Sequence, residues 1–189
     1  MSAFEIRTAK PTDGKRLAEI YRYYVENTAV SYEYEAPDCA EFERRIRETL
    51  KKYPYVVAES DGKILGYAYA GAFNTRAAAS LSAEVSIYVD KQARRAGLGR
   101  ALYSELEKML EKQNVRCLVA KVAFCDREHD DFLSRDSIQF HRHCGYRTVG
   151  AVENCGYKFG HWYGLMFMQK DIGDYCDRPG EFIEYNGMS

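Results

Sequence analysis

The stretch that decides the fold runs from Glu84 to Leu102, E-V-S-I-Y-V-D-K-Q-A-R-R-A-G-L-G-R-A-L. Its first six residues alternate with the period of a strand: Val85, Ile87 and Val89 fall on one face, Glu84, Ser86 and Tyr88 on the other. A basic loop holding Arg94, Arg95 and Ala96 follows and closes on Gly97 and Gly99. Leu98, Ala101, Leu102, Leu106, Met109 and Leu110 then recur at helical spacing, so a helix is expected over about 97–113. Strand, loop and helix in that order aim unpaired N–H groups and the positive end of a helix dipole at the loop, where a phosphate binds. Gly97 and Gly99 let backbone approach an anion closely, and Arg94, Arg95 and Arg100 ring it with charge. These residue types predict a pyrophosphate cradle. It is not a P-loop, which would close on Gly-Lys-Ser/Thr. Nor is it the dinucleotide fingerprint, whose third glycine position is taken by Leu102.

Working outward, Phe4–Arg7 is a short strand candidate, and Pro11-Thr12-Asp13 signals a helix start. Leu17, Ile20, Tyr21, Tyr24 and Val25 recur as one helical stripe, and Ala29–Tyr34 reads as a strand or extended loop. After Pro37-Asp38 a second helix presents Phe42, Ile46 and Leu50. Residues 55–59 and 64–73 form two strands joined by Asp61-Gly62, a hairpin turn pair. Beyond the cradle helix come a strand over 115–123, a short helix over 136–144 stopped by Gly145, and closing strands over 146–152 and 157–170. The order is mixed α/β. One domain over 1–170 is expected, with a C-terminal extension over 171–189 that either wraps the domain or hangs loose.

The whole-chain properties set bounds on function. At 189 residues the chain is long enough to bury a core without staples. Its formal net charge of −1 provides no bulk attraction to nucleic acid or anionic membrane. No apolar run approaches the roughly 20 residues of a membrane span. The first residues have no signal-peptide pattern, so a cytoplasmic protein is expected. Six cysteines without a Cys-x-x-Cys pair argue against a zinc or redox motif and are read as free thiols. His129, amid Asp126, Glu128, Asp130 and Asp131, shows no metal-ligand spacing and is read as part of a solvated acidic loop. No metal is expected.

Arg94-x-x-Gly97-x-Gly99 between a strand and a helix resembles the coenzyme A loop of the GNAT acetyltransferase superfamily. Five further segments resemble its phosphinothricin acetyltransferase-like branch: Ile20-Tyr21-x-x-Tyr24-Val25, Tyr53-Pro54-x-Val56-Val57-Ala58-Glu59, Gly66-Tyr67-Ala68-Tyr69-Ala70-Gly71, Glu84-x-Ser86-Ile87-Tyr88-Val89 and Gly156-Tyr157-Lys158-x-Gly160-x-Trp162. They follow the family's order over about residues 4–170. The resemblance implies a mixed, mostly antiparallel sheet flanked by helices, with central strands splayed to hold acetyl-coenzyme A. It implies transfer of an acetyl group to the primary amine of a small amino-acid-like molecule, and a homodimer.

The same resemblance implies the site. Ile87, Tyr88 and Val89 would meet the cofactor along the strand; Arg94, Arg95, Ala96, Gly97, Leu98, Gly99, Arg100 and Ala101 would cradle its pyrophosphate. The stretch 125–135 looks longer than the family's loop and lacks the asparagine that often meets the pantetheine arm, leaving Ser137 as the nearer candidate. An ammonium must lose a proton before it attacks a thioester; Glu84 matches the family's catalytic glutamate, against the plain reading of a strand carboxylate pairing with a lysine. Backbone N–H groups around Ile87–Val89 would stabilise the developing oxyanion. A tyrosine acid is absent, since Phe140 stands at that position. His141 is then either the donor to the departing thiolate or a helix histidine bonded to backbone. Arg76 is read as a fork for a substrate acid group or as a solvated loop arginine. Tyr32 and Phe73 are read as pocket walls or packing aromatics.

Two other classes stand beside this one. A protein or peptide N-acetyltransferase would share the cofactor site but need an open groove. A non-catalytic coenzyme A-binding module would keep the cradle and have no need of Glu84. No nucleic-acid-reading motif is present.

Overall fold

The structure, a computed structural model, describes residues 4–93 and 97–186. Strand β1 (Glu5–Thr8) leads through a 3₁₀ turn at Pro11–Asp13 into helix α1 (Gly14–Asn27). Helix α2 (Cys39–Thr49) starts where Asp38 accepts a hydrogen bond from the Glu41 N–H, an N-cap that satisfies an otherwise orphaned donor. The hairpin β2 (Tyr55–Ser60) and β3 (Lys63–Ala72) turns at Asp61-Gly62, with φ of 51° and 72°. Positive φ at both central residues suits the twist of the flanking strands, as the Asp-Gly pair predicts. Then follow β4 (Ser82–Val89), α3 (Leu98–Lys112), β5 (Cys117–Phe124), α4 (Asp136–His143), β6 (Arg147–Lys158) and β7 (His161–Asp171).

The seven strands form one sheet in the order β1-β2-β3-β4-β5-β7-β6. Among the described residues β4 and β5 are the parallel pair, and the other neighbours are antiparallel. One face carries Val85, Leu118, Ala120 and Val122 against Leu98, Leu102, Tyr103, Leu106 and Leu110 of α3. The other carries Tyr55, Val57 and Tyr67 against Leu17, Ile20, Tyr21, Tyr24 and Val25 of α1 and Phe42 and Ile46 of α2. The expected apolar stripes are therefore the core. Tyr103 adds a buried aromatic that the stripe of aliphatic residues did not include.

Of the two readings for residues 29–34 the loop holds, their backbone groups being taken by side chains and other loops. One boundary differs from expectation. The closing hairpin turns at Phe159-Gly160, not before Tyr157, so β6 reaches Lys158. The acidic stretch near His129 is not wholly solvated: the Asp130 side chain is 3% exposed and bound by Arg127 at 2.5 Å and by the Phe132 N–H at 2.9 Å. The extension after β7 wraps the domain. Phe182 packs on the core, Tyr185 is buried, and Ile183 and Tyr185 bond to Gln113 and Lys52 backbone.

Candidate active site

β4 and β5 are hydrogen-bonded neighbours only from Ser82–Cys117 to Val85–Ala120. Past that row the parallel strands part, while β4 continues beside β3 to Val89 and β5 beside β7 to Phe124. The opening exposes backbone of known parity. Asp90 donates to Leu65 O on the β3 side, and Leu81 O accepts from Arg116 and Cys117 on the β5 side. With strand alternation, Val85, Ile87 and Val89 direct their N–H and C=O toward β5, whereas Tyr88 directs its own to β3. Val89 is met there by the Tyr24 hydroxyl, which donates to Val89 O at 2.6 Å and accepts from its N–H at 3.3 Å. Ile87 thus offers the cleft an N–H and a C=O. Tyr88 contributes its ring to a cluster with Tyr21, Tyr24 and Tyr67.

The helix start lies against this opening. Gly97 has φ of +79°, and Ala101 N–H is the first to bond back, to Gly97 O at 3.1 Å. The N–H groups of Leu98, Gly99 and Arg100 precede it without an intrahelical acceptor, which leaves them for an anion. A Cβ on Gly99 would lie 3.6 Å from Ile87 Cδ1 and only 2.8 Å from Phe140 Cε2. Gly99 therefore lets α4 close over the first turn of α3 beside the cleft. Leu98 is buried in the core and Ala101 half-buried, so these two serve through backbone. Arg94, Arg95 and Ala96 lie outside the described residues. The fit to a cofactor with a pyrophosphate and an extended amide arm is good: a helix N-terminus for the first, unpaired strand backbone for the second.

Glu84 stands in the row Gly71–Glu84–Val119, one residue before the strands part. Its side chain is on the α1–α2 face, opposite α3, and pairs with Lys121 at 2.7 Å. A lysine partner is what the plain reading of a strand carboxylate predicts; a place at the fork of the opening is what a base needs. Lys121 was missed from sequence, although a single charge inside an otherwise apolar strand was a visible signal.

His141 is 5% exposed. One ring nitrogen lies 2.7 Å from Ser137 O and the other 2.9 Å from the Tyr103 hydroxyl. A carbonyl can only accept, so Nδ1 carries the proton and Nε2 accepts from Tyr103. Burial lowers the imidazole pKa, keeping this neutral form. Ser137 sits half-buried in the first turn of α4 and holds His141 through its carbonyl.

Tyr32 is half-buried with its hydroxyl donating to Gly164 O at 2.8 Å, and its ring covers Gly156, where a Cβ would come within 2.5 Å. Burial raises its phenol pKa, so it stays a donor. Phe73 and Arg76 are exposed on the β3–β4 connection, just beyond the Gly71–Glu84 row. The structure thus places Glu84 one residue before the opening and Ile87 and Gly99 beside it, buries His141, and leaves Phe73 and Arg76 on the connection at the other, still-paired end of β4.

An open, mostly antiparallel sheet whose one parallel pair splays beside a glycine-led helix defines the acetyl-coenzyme A-dependent N-acetyltransferase class. The acetyltransferase (GNAT) domain family matches residues 6–167, and the chain belongs to that family. It is 32% identical over 169 residues to a phosphinothricin N-acetyltransferase of Streptomyces viridochromogenes, covering 89% of this chain and 87% of the relative. An L-methionine sulfoximine/L-methionine sulfone acetyltransferase of Salmonella typhimurium is 29% identical, covering 90% of this chain and 96% of its own. The crystal structure of a phosphinothricin acetyltransferase from Sinorhizobium meliloti in complex with AcCoA superimposes with a TM-score of 0.85 at 33% identity, covering 98% and 97% of the two chains. Among the described residues no helix is long and apolar enough to cross a membrane, and no group of three His, Cys, Asp or Glu could hold a metal.

Proposed function

We propose that this acetyltransferase acetylates the primary amine of a small amino-acid-like molecule of the phosphinothricin or methionine sulfone and sulfoximine type, with Glu84 as general base. The observation that carries the reading is the place of Glu84 at the fork of β4 and β5, on the face opposite α3. Acetyl-coenzyme A supplies an activated acetyl thioester. On this reading the cofactor lies along the opening from Gly97–Ala101 to Ile87, with Arg94, Arg95 and Ala96 completing the cradle. The amine enters from the α1–α2 face. Glu84 takes one proton from the ammonium and frees the nitrogen lone pair to attack the acetyl carbon beside the Ile87 N–H, a fixed donor for charge developing on the acetyl oxygen. The C–N bond forms, the nitrogen loses its second proton to solvent and the C–S bond breaks. Arg76 grips the acid group of the acceptor, and Phe73 and Tyr32 wall its side chain. Solvent supplies the thiolate proton, since His141 has both nitrogens engaged. The names of the relatives support the amine class, and the exposed β6 edge supports a homodimer.

The test is a pH–rate profile of wild type and Glu84→Gln over a panel of amino acids, phosphinothricin, methionine sulfone and a peptide amine. Glutamine keeps the shape but accepts no proton, so kcat/KM should fall about 10²–10⁴-fold near neutral pH and recover partly at high pH, where free amine is available. Equal rates for the two proteins would remove Glu84 from the chemistry. Preference for the peptide would move the chain to the protein-acetylating class.

A further inference from the structure

We propose that Lys158, a residue that touches neither substrate nor cofactor, is a positioning residue for the acceptor amine, because its buried ammonium fixes the 28–34 loop over the face where Glu84 stands. The assignment rests on the activity proposed above.

Lys158 ends β6 and is 4% exposed. Its Nζ donates to Val25 O at 2.7 Å, Ser31 O at 2.8 Å and Thr28 O at 3.1 Å. An ammonium has three N–H donors, and here each has one backbone carbonyl. Among the described residues no carboxylate forms an ion pair with it. Val25 belongs to the last turn of α1 and Thr28 follows its end, where carbonyls lack intrahelical partners and the dipole is negative. A strand residue therefore caps a helix more than a hundred residues away, and the same nitrogen holds the loop beyond.

Two neighbouring contacts close a junction around it. Phe159 and Gly160 form the two-residue turn to β7 with φ of 50° and 79°. A phenylalanine is rare at positive φ. Its ring stacks on Phe132 at 4.2 Å between centroids, and Phe132 O accepts the Ala29 N–H at 2.9 Å. The loop is thus held from the closing turn and from the 125–135 stretch at once.

Register places the loop on the Glu84 face. Lys121 pairs with Glu84, and Ala123, two residues on, lies on the same face of β5. Ala29 and Ala123 are buried together with Tyr163, and Tyr32 packs against that cluster. A buried cation without an ion-pair partner is costly, and a hydrophobe would fill the space more cheaply. What the ammonium adds is direction: three bonds to three carbonyls set the loop that carries Tyr32.

The experiment uses Lys158→Met and Lys158→Gln in the full chain, the second retaining two donors. For each we would measure Tm, acetyl-coenzyme A Kd by calorimetry, and kcat and KM for an amine accepted by wild type. Misplacing a binding wall by about 1 Å costs up to about 10²-fold. The expected result is a KM for the amine raised about tenfold or more in Lys158→Met and less in Lys158→Gln. Acetyl-coenzyme A Kd should stay within about twofold. An unchanged amine KM in a folded variant overturns the assignment while leaving the activity intact. Amine and cofactor affinity falling together with Tm, or failure of both variants to fold, makes Lys158 a stability residue and overturns it equally. If wild type turns over no amine, the proposed activity fails first and takes the assignment with it.

Discussion

At the scale of single residues, His141 shows how one side chain's chemistry is set by what encloses it. It donates from Nδ1 to Ser137 O and accepts at Nε2 from Tyr103, with Tyr146 and Phe140 rings around it. Burial lowers its pKa below the ordinary 6.5. The unfolded chain therefore binds this proton before the folded chain does, and stability falls as pH drops. The stabilisation is complete above about pH 6.5 and is lost as pH falls through that value toward the lowered one. Melting temperature measured from pH 7.5 to 5 should decline below about 6.5 in wild type. His141→Gln should lack that decline and melt lower at pH 7.5, since buried bonds are worth about 1–3 kcal/mol when broken. Its kcat should fall less than about tenfold, because a neutral ring with both nitrogens bonded has no proton to give at the cleft. A loss of about 10²-fold or more would restore His141 as the acid.

At the scale of elements, the first turn of α3 uses its two glycines for different reasons. Among the described residues a Cβ on Gly97 would meet nothing within 4 Å, but the residue sits at φ +79°, where an L side chain is strained by roughly 1–2 kcal/mol. Gly97→Val should therefore fold, yet move the helix start and weaken acetyl-coenzyme A binding about tenfold or more by calorimetry. Gly99 has ordinary backbone and no room: its Cβ would press on the Phe140 ring of α4. Gly99→Ala should lower stability by about 1–3 kcal/mol through overpacking. Phe140→Leu should recover part of that loss in the double variant, a coupling expected of residues in contact. Additive effects in chemical denaturation would separate α4 from the cradle.

At the scale of the molecule, β6 is a long edge strand, exposed over Arg147–Cys155 and bulged near Thr148–Gly150 and Val152–Gly156. Val149, Val152, Tyr157 and Trp162 stand exposed along it and its hairpin partner. Such an edge offers unpaired backbone and apolar surface together, which favours pairing with another chain. Sedimentation at micromolar concentration should report a dimer. Val152→Lys, half-exposed and outside the core, should shift it to monomer without a change in Tm beyond that of dissociation. A wild-type monomer at that concentration would count against the homodimer.

Much of the architecture could be read from local pattern. The stripe Leu17–Val25, the alternation Val85–Val89, the Asp61-Gly62 turn and the Leu98–Leu110 helix all describe how a segment buries its own apolar face, and burial is periodic along the chain. The helix start at Gly97 was legible for the same reason, since the glycine and the apolar stripe of the helix are neighbours in sequence. The tertiary structure alone decided where β4 and β5 part, that Lys121 meets Glu84, that Tyr24 caps Val89, that His141 is enclosed and that Lys158 holds carbonyls of the α1 end and of the loop after it. Each of these joins residues far apart in sequence through one or two directional polar contacts. Hydrogen bonds and ion pairs leave no period in a sequence, because their partners are chosen by the packed fold and not by the neighbouring residues.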